Sequence, residues 1–334
     1  MLEDVIFYCL VSSVLPRIIV KLEEPLFLRS QVNILINAPF GAGKTEILEK
    51  IERKGLGRRI MNWTKVGFLG TIKRNGEIVP PQTVLCAGKT VLIDEFQAVP
   101  VELKLPLLSL MEEQRADRVL SFEVPQPINY VSSDGYWSVT AEHGCMTTKV
   151  RASYLVVTSK LNKTHTDRML QSRCIQINIQ TTYEDLKHGI ASIKLDSIQE
   201  IRNEIKDYKG LFTEEEYKEV LNTVIDELKR KEIPPNYGYR VTAELIRIMN
   251  IKDALGEDRD EAYKLLDFIL HGIQGSYYTP LEFKVYSLLR EKERTAREIS
   301  KILEISETTT KAVLNKLMSK SIVKKSGKKY SIIW

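Results

Sequence analysis

The chain has 334 residues, 43% of them hydrophobic and 28% charged, which describes a soluble globular protein too long for one ordinary core and suggests two or three domains. Its net charge of +5 is uneven: residues 279–334 carry +7 and the remainder −2, so the basic character sits in the last domain and hints at an acidic polymer such as DNA. The four cysteines, Cys9, Cys86, Cys145 and Cys174, lie far apart without a CxxC pair; this excludes a zinc knuckle or disulfide framework and suits a reducing, cytoplasmic compartment.

Residues 1–30 read as a helical lead-in. Within them, residues 5–20 are apolar but contain Pro16 and Arg17, are too short to span a bilayer, and lack a basic start and a cleavage site. The expectation is a core-packing helix and no membrane contact. Residues 32–37 form a short β-rich run bounded by Pro and Gly, which predicts a buried strand, and residues 44–53 predict a helix. Further buried strands are expected at 90–93, 154–158 and 174–179. Buried strands alternating with helices argue for an α/β fold with a parallel sheet across residues 31–180.

After Gln180 the spacing turns helical, at 183–204, 213–231, 241–251 and 258–270, with Thr213 and Glu216 as a capping-box pair. A helical second domain over 181–276 follows, ending in a linker at 272–280. Residues 279–334 read as three helices (283–290, 295–302 opened by Thr295 and Glu298, and 306–320) and a hairpin turning at Ser326-Gly327. No internal repeat or low-complexity tract is present.

The first strand leads into Ala38-Pro39-Phe40-Gly41-Ala42-Gly43-Lys44-Thr45. Apart from Ala38 in the first glycine position, this matches the Walker A pattern GxxxxGK[ST] between a strand and a helix. Gly41 and Gly43 let backbone N–H groups turn toward phosphate oxygens, and the helix starting at Lys44 points its positive dipole end at them. Pro39, Phe40, Gly41, Ala42, Gly43, Lys44, Thr45 and Glu46 are the expected ATP-binding set. Lys44 would reach the β- and γ-phosphates and Thr45 would ligate Mg²⁺. Val91-Leu92-Ile93-Asp94-Glu95-Phe96 reads as a Walker B strand, with Asp94 on Mg²⁺ and Glu95 as general base for the attacking water.

The Asp94-Glu95 pair and the motifs after it resemble AAA+ ATPases, and within them the motor core of the minichromosome maintenance helicases. Residues 10–18 resemble that family's lead-in, residues 66–72 through 94–96 its GLTA…DEF segment, and residues 107–114 its IHEALEQQ helix. The resemblance spans roughly the first 250 residues. It implies a three-layer αβα P-loop domain with a helical lid, ATP and Mg²⁺ as cofactors, and DNA as substrate. It also implies a sensor 1 role for Ser159, with Thr158 beside it, where the family has Asn. Leu170-Gln171-Ser172-Arg173 resembles the LLSR arginine-finger motif, so Arg173 would reach the γ-phosphate of a neighbouring subunit, with Arg168 in reserve. Tyr239-Arg240 and Leu245-Ile246-Arg247 resemble the sensor 2 helix, so Arg240 would bring the lid down on the nucleotide. A finger in trans implies a homo-oligomeric ring, expected to be a hexamer.

Asp134-Gly135 is a hairpin turn signal, and Ala141-Glu142-His143-Gly144 falls near the family's pre-sensor hairpin, with Glu142 and His143 where the family has a DNA-gripping lysine. Trp137, Lys149 and Arg151 could compensate by stacking and charge, although packing is the plainer reading for them.

The last domain resembles a winged helix-turn-helix. Val313, Leu314 and Leu317 are expected to face inward, and Thr308, Lys311 and Asn315 outward to bases and phosphates. The wing lysines Lys324, Lys325, Lys328 and Lys329 suit phosphate contact. The leading expectation is an ATP-hydrolysing motor that moves along or remodels DNA. Two others stand beside it: an ATP-switched DNA-binding initiator or loader, and a MoxR-type protein-remodelling ATPase.

Overall fold

A computed structural model describes residues 2–38, 43–60, 63–124, 126–159, 165–178, 195–231, 233, 237–270, 280–319 and 323–332. In chain order it runs α1 (Leu2–Ser12), β1 (Ile18–Val20), β2 (Leu26–Leu28), β3 (Ile34–Asn37), α2 (Lys44–Arg53), β4 (Gly57–Arg59), α3 (Lys65–Leu69), β5 (Thr71–Ile72), β6 (Ile78–Val79), β7 (Thr90–Asp94), α4 (Val101–Glu113) and β8 (Arg115–Val119). Then follow β9 (Ile128–Val131), β10 (Trp137–Glu142), β11 (Cys145–Val150), β12 (Ser153–Thr158), α5 (His165–Gln171), β13 (Ile175–Asn178), α6 (Ile198–Ile205), β14 (Leu211–Phe212), α7 (Glu214–Arg230) and α8 (Gly238–Ala254). The last stretch holds α9 (Pro280–Glu291), β15 (Arg294–Thr295), α10 (Ala296–Ile302), α11 (Glu307–Ser319), β16 (Val323–Ser326) and β17 (Lys329–Ile332).

The chain divides into two compact units, one of Met1–Glu227 with Gly238–Ile269 and one of Leu228–Tyr237 with Leu270–Trp334. The larger unit is built on a five-stranded sheet of order β13-β3-β12-β7-β4, parallel at every pairing. Strands of this kind are covered on both faces and read as unbroken apolar runs. β12, Ser-Tyr-Leu-Val-Val-Thr, is buried at all six positions. Helix α2 follows β3 and buries Ile47, Leu48 and Ile51, one stripe of an otherwise charged helix. On one side of the sheet Leu35, Val91, Ile93, Tyr154 and Val156 pack with Leu103, Leu107 and Met111 of α4.

The apolar stretch 5–20 does not form the single helix expected of it. Helix α1 ends at Ser12, and Ile18–Val20 is a strand, antiparallel to β2 and parallel to β14. Pro16 lies between them: its ring blocks the helical hydrogen bond and favours an extended residue before it. In the stretch 119–150 the two expected hairpins, turning at Asp134-Gly135 and near 141–144, belong to one larger sheet. Strands β8, β11, β10 and β9 form an antiparallel sheet in that order. Its small core is Leu120, Val139, Ala141 and Met146 with Ile72. The expected turn at Asp134-Gly135 is present, with Asp134 accepting from the Tyr136 N–H at 3.0 Å. β10 and β11 are joined through His143 (φ 48°) and Gly144 (φ 72°), the signs a two-residue type I′ loop requires.

The helical segment begins, among the described residues, at α6. The Thr213–Glu216 box closes as expected, the Thr213 N–H donating to Glu216 Oε2 at 2.6 Å and the Glu216 N–H to Thr213 Oγ1 at 3.2 Å. The expected linker falls almost wholly on residues 271–279, which lie outside the described residues. In the smaller unit, α9, α10 and α11 pack Val285, Leu289, Ile299, Val313, Leu314 and Leu317 against Tyr330 of a three-stranded sheet of order β15-β17-β16. The hairpin turns at Gly327-Lys328, one residue later than the sequence suggests. Ser326 pairs with Lys329 and Gly327 takes φ 61°, the first position of a type II′ loop. Among the described residues no helix is long and apolar enough to cross a membrane.

Two close fits anchor the larger unit. Arg202 of α6 is 1% exposed. It donates Nε to the Leu10 carbonyl and Nη2 to the Leu56 carbonyl, both at 2.8 Å, and so ties α6 to α1 and to the turn before β4. Burial pushes its guanidinium down to about 10, still charged at neutral pH. Gly210, whose carbonyl accepts from Ile19 N–H at 3.0 Å, leaves no room for a side chain: a Cβ would lie 1.6 Å from Asn250 Oδ1.

Arg202→Ala should cost about 3 kcal/mol, because it opens a cavity and strands two buried carbonyls. The check is a urea unfolding midpoint at unchanged slope. Gly210→Ala should cost about 2 kcal/mol through overpacking, and Asn250→Ala in the same chain should recover most of it. A midpoint unmoved by Gly210→Ala alone would mean that the close approach is not present in solution.

Candidate functional site

Strand β12 pairs in parallel with β3 on one side, Thr158 opposite Asn37, and with β7 on the other, Val157 opposite Asp94. The pairing continues one step past the strands. The Ala38 N–H donates to the Thr158 carbonyl and the Glu95 N–H to the Val157 carbonyl, each at 3.0 Å. The three chains therefore leave the sheet from one edge, where ligands of open parallel sheets bind.

Pro39, Phe40, Gly41 and Ala42 lie outside the described residues. Gly43 caps α2 with φ 76°, a conformation that favours glycine. Lys44 is 7% exposed; its Nζ donates to the Ala38 carbonyl at 2.7 Å and stands 4.0 Å from Glu95 Oε1. The Thr45 hydroxyl donates to Asp94 Oδ2 at 3.1 Å. Glu46 is half-buried in the first helical turn, where a negative charge favours the dipole. Residues 49 positions apart thus place a hydroxyl and a carboxylate oxygen in contact, a donor set that suits a hard divalent cation. Among the described residues no group of three or more His, Cys, Asp or Glu side chains could hold a metal. A cation here would complete its shell from water or phosphate, as Mg²⁺ commonly does.

Glu95 takes φ 58°, an uncommon backbone conformation for a residue with a side chain. Its Oε2 accepts from the Ser159 N–H at 3.1 Å and from the Thr158 hydroxyl at 3.4 Å. Ser159 therefore meets Glu95 through its main chain, and the hydroxyl aimed at Glu95 is that of Thr158. The single hydrogen of that hydroxyl is shared with Gln97 Oε1, the nearer acceptor at 2.5 Å. Sequence reasoning does not find Gln97. Its position two residues after Glu95 is the only local signal, and the contact depends on β7 and β12 being neighbours.

The two arginines assigned from the family resemblance are not brought to this cluster. Arg173 precedes β13, whose first residue, Ile175, lies opposite Ile34 at the start of β3. Both are at the other end of the sheet, roughly 13 Å along the strand from Ala38. Arg173 Nε donates to the Leu108 carbonyl at 3.1 Å and Nη1 to the Met169 carbonyl at 3.0 Å, with Glu112 Oε2 at 3.8 Å. Arg240 sits beside it, Nη2 donating to the Gln171 carbonyl and, at 3.3 Å, to the Cys174 carbonyl. Closure of Arg240 over a nucleotide on its own chain's α2 does not follow from this arrangement, because the body of the sheet stands between them. The Arg168 side chain lies outside the described residues.

At the β10–β11 turn, His143 and Glu142 are exposed and paired at 3.3 Å. Trp137 packs its ring 4.8 Å from that of Tyr130 and borders both the main core and the small core around Val139. Arg151 lies over the Tyr136 ring and donates to the Val14 carbonyl at 3.4 Å. Lys149 is exposed.

In the smaller unit, Thr308, Lys311 and Asn315 are exposed on α11, while Val313, Leu314 and Leu317 are buried. Lys311 is paired with Glu307 at 2.7 Å, and that bond raises the lysine and lowers the carboxylate from their ordinary values. Lys324, Lys325, Lys328 and Lys329 are all exposed on the hairpin, with Lys325 Nζ 5.7 Å from the Tyr330 ring centre.

Residues 278–333, the three helices and hairpin of this unit, match the family described as sugar-specific transcriptional regulator TrmB. Comparison of the chain with curated proteins finds no match. Residues 278–333 therefore carry a TrmB-type winged helix, a DNA-binding class of domain, in a chain of mixed α/β structure.

Proposed function

We propose that the chain is an ATP-hydrolysing P-loop protein that works on DNA, and that its larger unit is a motor core like those of the minichromosome maintenance helicases. The observation that carries the ATPase reading is the contact of Thr45 with Asp94, with Lys44 and Glu95 beside it, on one edge of a parallel sheet. Lys44 and the N–H groups at the start of α2 would bind the phosphates of ATP. Thr45 and Asp94 would hold Mg²⁺, which neutralises phosphate charge when bound. Glu95, oriented by the Ser159 N–H and the Thr158 hydroxyl, would take the proton of the attacking water. Arg173 lies too far from this cluster to serve it within one chain, so as a finger it would complete a site on another copy. A closed ring, with six copies as the reading to test, meets that need.

The DNA reading rests on the smaller unit. Its match to a transcriptional regulator family, its net charge of +7 over residues 279–334 and its exposed α11 face and wing lysines support it. A second reading is favoured by that same match: an ATP-switched DNA-binding regulator that turns over slowly.

ATPase rates with and without single- and double-stranded DNA separate the two, with Glu95→Gln as the blank. The motor reading expects turnover stimulated by DNA and abolished in Glu95→Gln. Tight ATP binding with almost no turnover would favour the switch. Turnover indifferent to DNA would sink the motor reading. Alanine at Lys324, Lys325, Lys328 and Lys329 together should weaken DNA binding regardless of sequence. It should also flatten the log–log salt dependence by about 0.9 for each phosphate that the wing no longer neutralises. An unchanged slope would remove the wing from the interface.

A further inference from the structure

The loop that carries Arg173 is held from below by charged side chains that the proposed chemistry does not use. Its main chain, residues 171–174, offers carbonyls to the segment between β2 and β3 and to α8. The Arg173 carbonyl accepts from Arg29 Nη2 and from Asn33 Nδ2, both at 3.3 Å. The Gln171 and Cys174 carbonyls accept from Arg240. Arg29 is 4% exposed and is itself fixed from α8. Glu244 accepts from Arg29 Nη2 at 3.4 Å and from Arg247, and Arg247 Nε donates to the Arg29 carbonyl at 3.0 Å. Glu244 and Arg247 are 3% and 4% exposed.

Arg240, Glu244 and Arg247 recur at four- and three-residue spacing, so they share one face of α8, and that face meets the loop. Burying two guanidiniums with one carboxylate is costly, and a purely structural helix contact could be made more cheaply with apolar residues. Such a network gives direction instead: Arg29 and Arg240 fix main-chain carbonyls of the loop, Glu244 and Arg247 fix Arg29, and together they set the base of the Arg173 side chain. We infer that Arg240 and Glu244 are positioning residues for Arg173, so that α8 governs whether this chain can complete a phosphate site on another copy. The inference rests on the ATPase reading and on Arg173 acting in trans.

Mixing full-length variants tests it. Glu95→Gln copies have a dead site and an intact Arg173; Arg173→Ala copies have the reverse. Arg240→Met and Glu244→Gln should each lower kcat by about tenfold to a hundredfold, the scale of a small misplacement. KM for ATP should stay within about twofold, since the variant's own site is intact. Mixed with Glu95→Gln copies, each should regain turnover as Arg173→Ala does, while Arg240→Lys, which keeps a donor, should need less rescue. Thermal unfolding of each variant guards against simple loss of fold. A rise in KM, or no recovery on mixing although Arg173→Ala recovers, would overturn the inference alone. Absence of turnover in the unmodified chain would remove the ATPase reading and the inference with it.

Discussion

Everything at the candidate site depends on β12 being paired in parallel, in register, with β3 and β7 at once. A parallel ladder carries no turn of its own, so its register is set by which side chains the two covered faces accept. β12 is buried throughout, so a slip of one residue would exchange the side chains that its two covered faces must accept. The same register sets Ala38 beside Thr158 and Glu95 beside Val157, so the loop after β3 and the turn after β7 start level with each other. The Thr45–Asp94 contact follows from that alignment. The uncommon backbone of Glu95 belongs to the same edge, because the chain must leave β7 abruptly to bring its carboxylate back toward Lys44.

At the other end of the sheet, the larger unit handles buried positive charge in an unusual way. Among the described residues Arg202 has only main-chain carbonyls as acceptors, and Arg29 has Glu244 and carbonyls. Burial, foremost, and the neighbouring Arg247 push Arg29 down to about 10, so it keeps its proton at neutral pH. Carbonyls at helix ends and in irregular loops suit such donors, because they are orphaned by the geometry of the backbone. The Leu10 carbonyl near the end of α1 and the carbonyls of residues 171–174 are of this kind. Arg202 thus joins segments that no strand pairing connects, and Arg29 ties α8 to the loop before β13.

How far the sequence could be read followed the range of the interactions involved. Helix α2 at 44–53, both capping boxes and the exposed face of α11 rest on neighbours within one turn or two, and the structure has them at the expected places. The acidic and lysine residues of the cluster were legible for the same reason, since each is tied to a strand end or a glycine loop. Gln97 was not legible, because the contact that gives it a place in the cluster is with a partner 61 positions away across a strand pairing. Pro16 was visible, but nothing local said that Ile18–Val20 would pair with Leu211 and Phe212 near residue 210. Strands β8 to β11 escaped because their outer faces are polar and their core is small. The surroundings of Arg240 were not legible, because helical spacing tells which residues share a face, and not which end of a sheet that face meets.

The division of charge bears on how the two halves of the proposed activity could be joined. The last domain carries +7, the rest of the chain −2. Long-range attraction to a polyanion therefore acts on the smaller unit first, and it fades beyond about 8 Å at physiological salt. Contacts of the larger unit with the same polyanion would have to come from local geometry, and at the β10–β11 tip the exposed pair is Glu142 with His143, not a lysine. On the proposed reading, capture of DNA is an electrostatic task of the wing and α11, and coupling to ATP is a mechanical task of the sheet edge and α8. Separate residues then control affinity and turnover, and the two can change independently.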